Sequence, residues 1–173
     1  MAPRRACTAA CLLALVLAPN STGKTDQAAS RLDGKWSVSI VFTTAVGLKD
    51  RRVGQRVTET WVMRPRCRSG PCDVVLRRTG RKPLALLRRT ASTYTGKQSF
   101  TGAFFCNGRT YASGTTYVES WTVRIRRRGP GPLGRRALRI GGAGATVGRS
   151  SAALPCAPVV SRERVEFRGL PAR

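Results

Sequence analysis

Histidine is absent from this sequence, and acidic residues are scarce. Eight Asp and Glu residues stand against 32 Lys and Arg residues, so the formal net charge is +24 at pH 7. Without histidine, the commonest general base, the Ser-His and Cys-His nucleophile pairs and the usual zinc ligand are all excluded. The sequence therefore indicates no catalytic residue of these kinds, no metal site and no cofactor.

A run long enough to cross a membrane as a helix is also missing. The strongly apolar stretch Ala6–Ala18 has 13 residues, whereas a transmembrane helix needs about 20. It follows two arginines and precedes small polar residues, an order typical of an export signal. We predict a signal peptide and short linker over residues 1–29, cut after Gly23 or Ala29. The mature chain would then be extracellular or associated with the cell envelope, without a transmembrane span.

Residues 18–25, APNSTGKT, also match the pattern of a nucleotide phosphate loop. Such a loop requires a long helix after it and a later strand that ends in a magnesium-binding aspartate. Only DQAASRLDG separates Thr25 from an apparent strand at Lys35, and no later apolar run ends in aspartate. The signal peptide is therefore preferred, and nucleotide binding through residues 18–25 is kept as a remote alternative.

Cysteine usage supports export. The predicted mature chain keeps four cysteines, Cys67, Cys72, Cys106 and Cys156. An even number in an exported domain indicates two disulfides, for which three pairings exist. A turn-forming Ser-Gly-Pro makes a local Cys67–Cys72 bridge easy, which leaves Cys106 for Cys156. Four separate buried thiols and a four-cysteine metal site are the alternatives, although a metal site would require two close pairs.

The chain beyond residue 34 alternates in the manner of β-strands. Apolar residues occupy every second position in Lys35–Thr43, and Tyr117, Trp121, Val123 and Ile125 share one face in Thr115–Arg126, which indicates half-buried strands. Further strands are predicted at 55–64, 73–79, 84–90, 92–97, 99–106, 135–140 and 164–168. Asn107-Gly108 indicates a tight turn, and GPGPLG at 129–134 indicates a flexible loop. GGAGATVG at 141–148 lacks the spacing of a dinucleotide-binding loop. We predict one all-β domain over residues 30–173, an antiparallel barrel or sandwich of about eight strands.

Two stretches resemble known proteins. Leu32-Asp33-Gly34-Lys35-Trp36 resembles the G-x-W opening of lipocalins, avidins and related calycins, which implies an exported barrel for small, mainly apolar ligands. In that family a late arginine packs over the first-strand tryptophan, and here it would be Arg162, Arg164 or Arg168. The stretch 61–73, W-x-x-x-P-x-C-x-x-G-P-C-D, is similar to a motif of small secreted or lipid-anchored actinobacterial proteins of unassigned function. That resemblance implies a location and a disulfide, not an activity.

Two acidic residues and three tryptophans are the candidate ligand-binding residues. Glu59 shares a strand face with Trp61, and Glu119 shares one with Trp121. Inside a barrel, these carboxylates could bind a cationic ligand or act as acid and base, and the tryptophans, with Trp36, could form an aromatic floor. Alternatively, each glutamate lies at a strand end or pairs with an arginine, and the tryptophans are simply core.

The basic residues suggest a surface for anionic polymers. Seven arginines are predicted to point outward: Arg77, Arg78, Arg81, Arg124, Arg126, Arg127 and Arg128. The alternative is a merely solvated surface that reflects a high-GC genome. The large aromatic residues fall on other faces, so a base-stacking platform is missing and sequence-specific nucleic-acid recognition is not expected.

Together these features predict a secreted, disulfide-stabilised, non-catalytic binding or cell-envelope interaction protein. Its partner would be an anionic envelope polymer or a small apolar ligand. A hydrolase-type enzyme that uses Glu59 and Glu119 is the alternative.

Overall fold

The computed structural model describes residues 30–172. They form eight antiparallel strands in one closed barrel, in which every strand pairs with its neighbours along the chain and β8 returns to β1. The strands are β1 (Gly34–Val46), β2 (Arg56–Pro65), β3 (Val74–Arg78), β4 (Leu84–Arg88), β5 (Thr93–Cys106), β6 (Arg109–Gly131), β7 (Gly134–Ser150) and β8 (Val160–Pro171). The predicted all-β fold is confirmed. The prediction for residues 1–29 lies outside the described residues.

Alternation of side chains builds the core. On β1, Trp36, Val38, Ile40 and Phe42 point into the barrel and are buried, because successive residues of a strand face opposite sides. The inner faces of β2, β6 and β8 follow the same rule. The ring is closed, but the short strand β4 pairs with β5 only at Tyr94 and Thr95, so most of β5 is paired on its β6 side alone.

One end of the barrel is plugged by the segment 30–33. Leu32 is 1% exposed, and the Arg31 backbone bonds to Arg135 and Ala137 of β7. The Arg31 guanidinium donates to the carbonyl oxygens of Cys67 and Gly70, at 3.1 and 3.2 Å. The plug is therefore fastened both to a strand and to the β2–β3 loop.

Disulfides tie loops at both ends. Cys67 is bonded to Cys72 within the β2–β3 loop, and Cys106 at the end of β5 is bonded to Cys156 in the β7–β8 loop. The pairing expected from the sequence is thus found. The turn between β5 and β6 is also as expected, since Asn107 and Gly108 have φ values of 49° and 74°.

The glycine-rich segments differ from the expectation. Residues 129–131 belong to β6 and residue 134 begins β7, so the predicted flexible loop at 129–134 shrinks to a two-residue turn. Residues 141–148, which lie beyond the strand predicted at 135–140, are the middle of β7. The strands predicted at 92–97 and 99–106 are one strand, β5. Glycine has a low strand propensity, and only pairing with β6 and β8 makes 141–148 extended.

Candidate functional site

A cavity of about 440 Å³ lies inside the barrel, opposite the plugged end. The inner faces of β5 to β8 form its wall, and residues 48–51 of the β1–β2 loop and Arg81 of the β3–β4 loop form its rim. Clefts of this volume are typical of small-molecule sites. This cavity is the candidate functional site.

Aromatic rings form one wall of the cavity. Phe100 and Tyr117 pair across β5 and β6 and stack, with ring centroids 5.2 Å apart and an interplanar angle of 18°. A Cβ added at Gly148 would lie 2.7 Å from the Tyr117 ring, and one at Gly144 would lie 2.6 Å from the Trp121 ring. The glycines of β7 therefore leave the space that the two rings fill, and the wall is apolar and rigid.

The floor of the cavity is a cluster of three aromatic residues. Trp61 meets Trp121 edge to face, with centroids 5.2 Å apart, and Phe167 packs against both rings. Only Trp121 of this cluster lines the cavity. Trp61 and Trp36, at 0% and 1% exposed, are core residues that do not line it. Of the three predicted ligand tryptophans, one is at the site.

A buried ion pair lies between the floor and the wall. The Arg78 Nη2 donates to the Glu119 Oε1 at 2.6 Å, and the two side chains are 5% and 4% exposed. Gln98 donates to the same oxygen, and Trp121 Nε1 donates to Oε2 at 3.3 Å. The Arg78 guanidinium also lies 4.7 Å from the centre of the Trp121 ring, a cation–π contact. Glu119 is thus held by three donors, in agreement with the alternative that an arginine satisfies it.

These contacts set the charge of Glu119. Burial by itself would raise the pKa of this carboxyl, but the hydrogen bond and charge of Arg78, with the bonds from Gln98 and Trp121, lower it below its ordinary value. Glu119 is therefore an anion at neutral pH. Three of its roughly four acceptor positions are occupied, which leaves little room for a role as a base.

Two further carboxylates face the interior. Glu59 is half-buried and accepts a hydrogen bond from Trp61 Nε1 at 2.9 Å. Glu163 of β8 lines the cavity and is separated from Glu119 by Thr146, since the three residues are register partners on adjacent strands. Burial raises the pKa of Glu163. The charges of Arg81 and Arg51 lower it, the charge of Glu59 raises it further, and the net shift is upward.

The rim is basic. Lys49, Arg51 and Arg81 line the mouth of the cavity beside one acid, Asp50. The Arg51 guanidinium lies 5.0 Å from the centre of the Phe42 ring, which holds the β1–β2 loop against the barrel. Because Arg78 is neutralised by Glu119, the remaining cations give the mouth a net positive charge.

Of the seven arginines predicted to point outward, one points inward. Arg77, Arg81, Arg124, Arg126 and Arg127 are exposed and Arg128 is half-buried. Arg78, by contrast, is 8% exposed and points into the barrel, because it follows Val74 and Leu76 on the inner face of β3.

The arginine implied by the calycin resemblance is not found in its expected place. Arg162, Arg164 and Arg168 are all exposed on the outer face of β8. Cation–π contacts are made by Arg51 with Phe42 and by Arg78 with Trp121. In the described part of the chain, Arg162, Arg164 and Arg168 make no such contact.

Several residues of the site escaped the sequence prediction, among them three polar residues on inner strand faces. Gln98 shares the inner face of β5 with Tyr94, and Glu163 shares that of β8 with Phe167, while Arg78 continues the inner face of β3. The two-residue period that identified Glu59 and Glu119 was therefore present at all three positions. Gln98 fell between the strands predicted at 92–97 and 99–106, Glu163 preceded the strand predicted at 164–168, and Arg78 was predicted to point outward.

No helix in residues 30–172 has the length and apolar character needed to cross a membrane. In comparisons with known proteins, no family model matches the chain, and neither a curated protein nor a solved structure matches it.

Proposed function

We propose that this protein is a secreted, non-catalytic binding protein that holds a small molecule in its barrel cavity. The ligand class is a molecule with an apolar or aromatic body and one anionic group. The observation that carries the proposal is a single cavity with an aromatic wall and floor beneath a cationic mouth. An aromatic body would pack on Phe100, Tyr117 and Trp121, and its anionic group would lie between Arg51 and Arg81.

Export is part of this proposal. Its support is the signal-like order of residues 1–29 and the two disulfides, which form and persist in oxidising compartments. The hydrolase alternative based on Glu59 and Glu119 is less favoured, because Glu119 is already held by three donors.

Filling the cavity should abolish binding of a small anionic aromatic probe. Thr146 lines the cavity, so Thr146→Phe should weaken binding of anilinonaphthalene sulfonate by about tenfold or more, because the new ring takes the space of the probe. Fluorescence titration at fixed protein concentration measures the dissociation constant. The matched control is Thr116→Phe on the exposed face of β6, which should bind the probe as the parent does. Equal binding by both variants would show that the probe binds outside the cavity and would overturn the proposal.

Binding should also depend on pH through Glu163. Its pKa is raised by burial, so Glu163 ionises as the pH rises above the ordinary carboxyl range and then repels an anion in the cavity. The affinity for the probe should therefore increase as the pH falls through the pKa of Glu163. Glu163→Gln should strengthen binding at neutral pH and flatten this dependence.

The control for this pH dependence is Glu166→Gln. Glu166 lies on the same strand but on its exposed outer face, so this variant removes the same charge without altering the cavity. It should retain the parental pH profile. An unchanged profile in Glu163→Gln, or a flattened profile in Glu166→Gln, would contradict the role given to Glu163.

A further inference from the structure

The hairpin formed by the end of β6 and the start of β7 concentrates positive charge. Residues 124–140 form this segment, called here the arginine hairpin. It carries seven arginines: Arg124, Arg126, Arg127, Arg128, Arg135, Arg136 and Arg139. The sequence contains no acidic residue between Glu119 and Glu163. The ion pairs Arg31–Asp33 and Arg78–Glu119 lie outside this segment, and none of the seven arginines has an acidic partner among residues 30–172.

Like charges face each other across this hairpin. The register shifts between Ile125 and Arg127, and both Arg126 and Arg127 are exposed as a result. Arg127 is then the direct partner of Arg139 on β7. Like charges directly opposite each other destabilise an antiparallel pair. A counter-charge from outside the chain would remove this repulsion.

The tip of the hairpin is apolar and exposed. The two-residue turn is Pro132-Leu133, and Leu133 is 54% exposed. The tip projects from the plugged end of the barrel, away from the cavity, because β6 and β7 continue past Arg128 and Ala137 to close at residues 131 and 134. An apolar tip contributes nothing to a contact made by charge alone, but it contributes to a contact with lipid.

We propose that the arginine hairpin docks on an anionic lipid surface. Its arginines contact the phosphate head groups, for which the guanidinium fork is suited, and Leu133 inserts at the boundary with the acyl chains. Several basic residues near one surface together produce a salt-sensitive attraction that one or two would not. This inference is independent of the cavity and of its ligand.

The test is co-sedimentation with vesicles that contain about one third phosphatidylglycerol in phosphatidylcholine, at about 0.1 M salt. The hairpin variant combines Arg127→Gln, Arg135→Gln, Arg136→Gln and Arg139→Gln. The control variant combines four substitutions at exposed arginines elsewhere on the barrel, Arg56→Gln, Arg64→Gln, Arg109→Gln and Arg149→Gln. Both variants have the same net charge and the same amino terminus, so a difference between them isolates the hairpin.

The hairpin variant should partition into these vesicles about tenfold or more weakly than the control variant. Leu133→Ser should weaken binding by about tenfold, whereas Phe105→Ser, which truncates an exposed aromatic residue at the opposite end, should not. Circular dichroism and a cooperative denaturant transition show that each variant is folded. If the two charge variants lost vesicle binding equally, net charge alone would account for the binding, and the proposal would be overturned. The proposal would also be overturned if the hairpin variant bound vesicles weakly, Leu133→Ser bound them normally, and the parent bound soluble polyphosphate as tightly as vesicles. The partner of the hairpin would then be a soluble polyanion.

Discussion

Replacing Arg78 by methionine should lower the free energy of unfolding by about 3–5 kcal/mol at neutral pH. The substitution leaves Glu119 charged, 3% exposed and without its ionic partner, and an unpaired buried charge is strongly destabilising. Arg77→Met is the matched control, because Arg77 is the preceding residue but lies on the outer face; it should change stability by less than about 0.5 kcal/mol. Denaturant titration with the disulfides intact measures both.

The double variant Arg78→Met with Glu119→Gln distinguishes the cost of an unpaired buried charge from the cost of lost packing. It should recover a large part of the lost stability, since replacing both charges leaves no unpaired ion in the barrel. If Arg78→Met were as stable as Arg77→Met, the buried pair would contribute nothing, contrary to this expectation.

The same pair determines the response to acid. The pKa of Glu119 is lowered in the folded protein from an ordinary value of 4.5. Its contribution to stability is therefore fully present above that ordinary value and is lost as the pH falls through the lowered folded value. In the double variant this part of the acid dependence should disappear.

Removing the long-range disulfide should be the second large effect. Cys106 and Cys156 are 50 residues apart, whereas Cys67 and Cys72 are 5 apart. Since a longer closed loop restricts the unfolded chain more, the chain-entropy relation gives a loss of about 4 kcal/mol for the first bridge and about 2 kcal/mol for the second. Replacing each pair by serine and measuring denaturant midpoints checks this order. A larger loss from the Cys67–Cys72 pair would contradict it.

The sequence predicted the barrel wall best where alternation was regular. The inner face of β1 was correctly identified because Trp36, Val38, Ile40 and Phe42 recur at every second position. The disulfide pairing was also predicted, since one pair was local. The same period placed Arg78 inside the barrel, but an arginine was expected on the surface because burial of an unpaired guanidinium is costly. Only the partner, Glu119 on a strand distant in sequence, makes that burial favourable.

Other features depend on neighbouring strands and could not be read from one segment. Residues 141–148 are extended because they pair with β6 and β8, and Gly144 and Gly148 suit their positions because the rings of Trp121 and Tyr117 occupy the space that side chains would take. The register shift after Ile125, which turns two consecutive arginines outward, likewise depends on the pairing with β7. The cavity itself requires the closed ring, which no local pattern encodes.

The pairing of β1 with β8 also determines when the ring closes during folding. Ile40 pairs with Phe167, so the ring closes only after nearly the whole described chain has been synthesised. Until then, β1 and the newest strand both present unpaired backbone groups, which are templates for pairing with another nascent chain. Closure also joins residues far apart in sequence, a slow step in folding. The risk of aggregation through these two edges is therefore greatest before the eighth strand is available to pair.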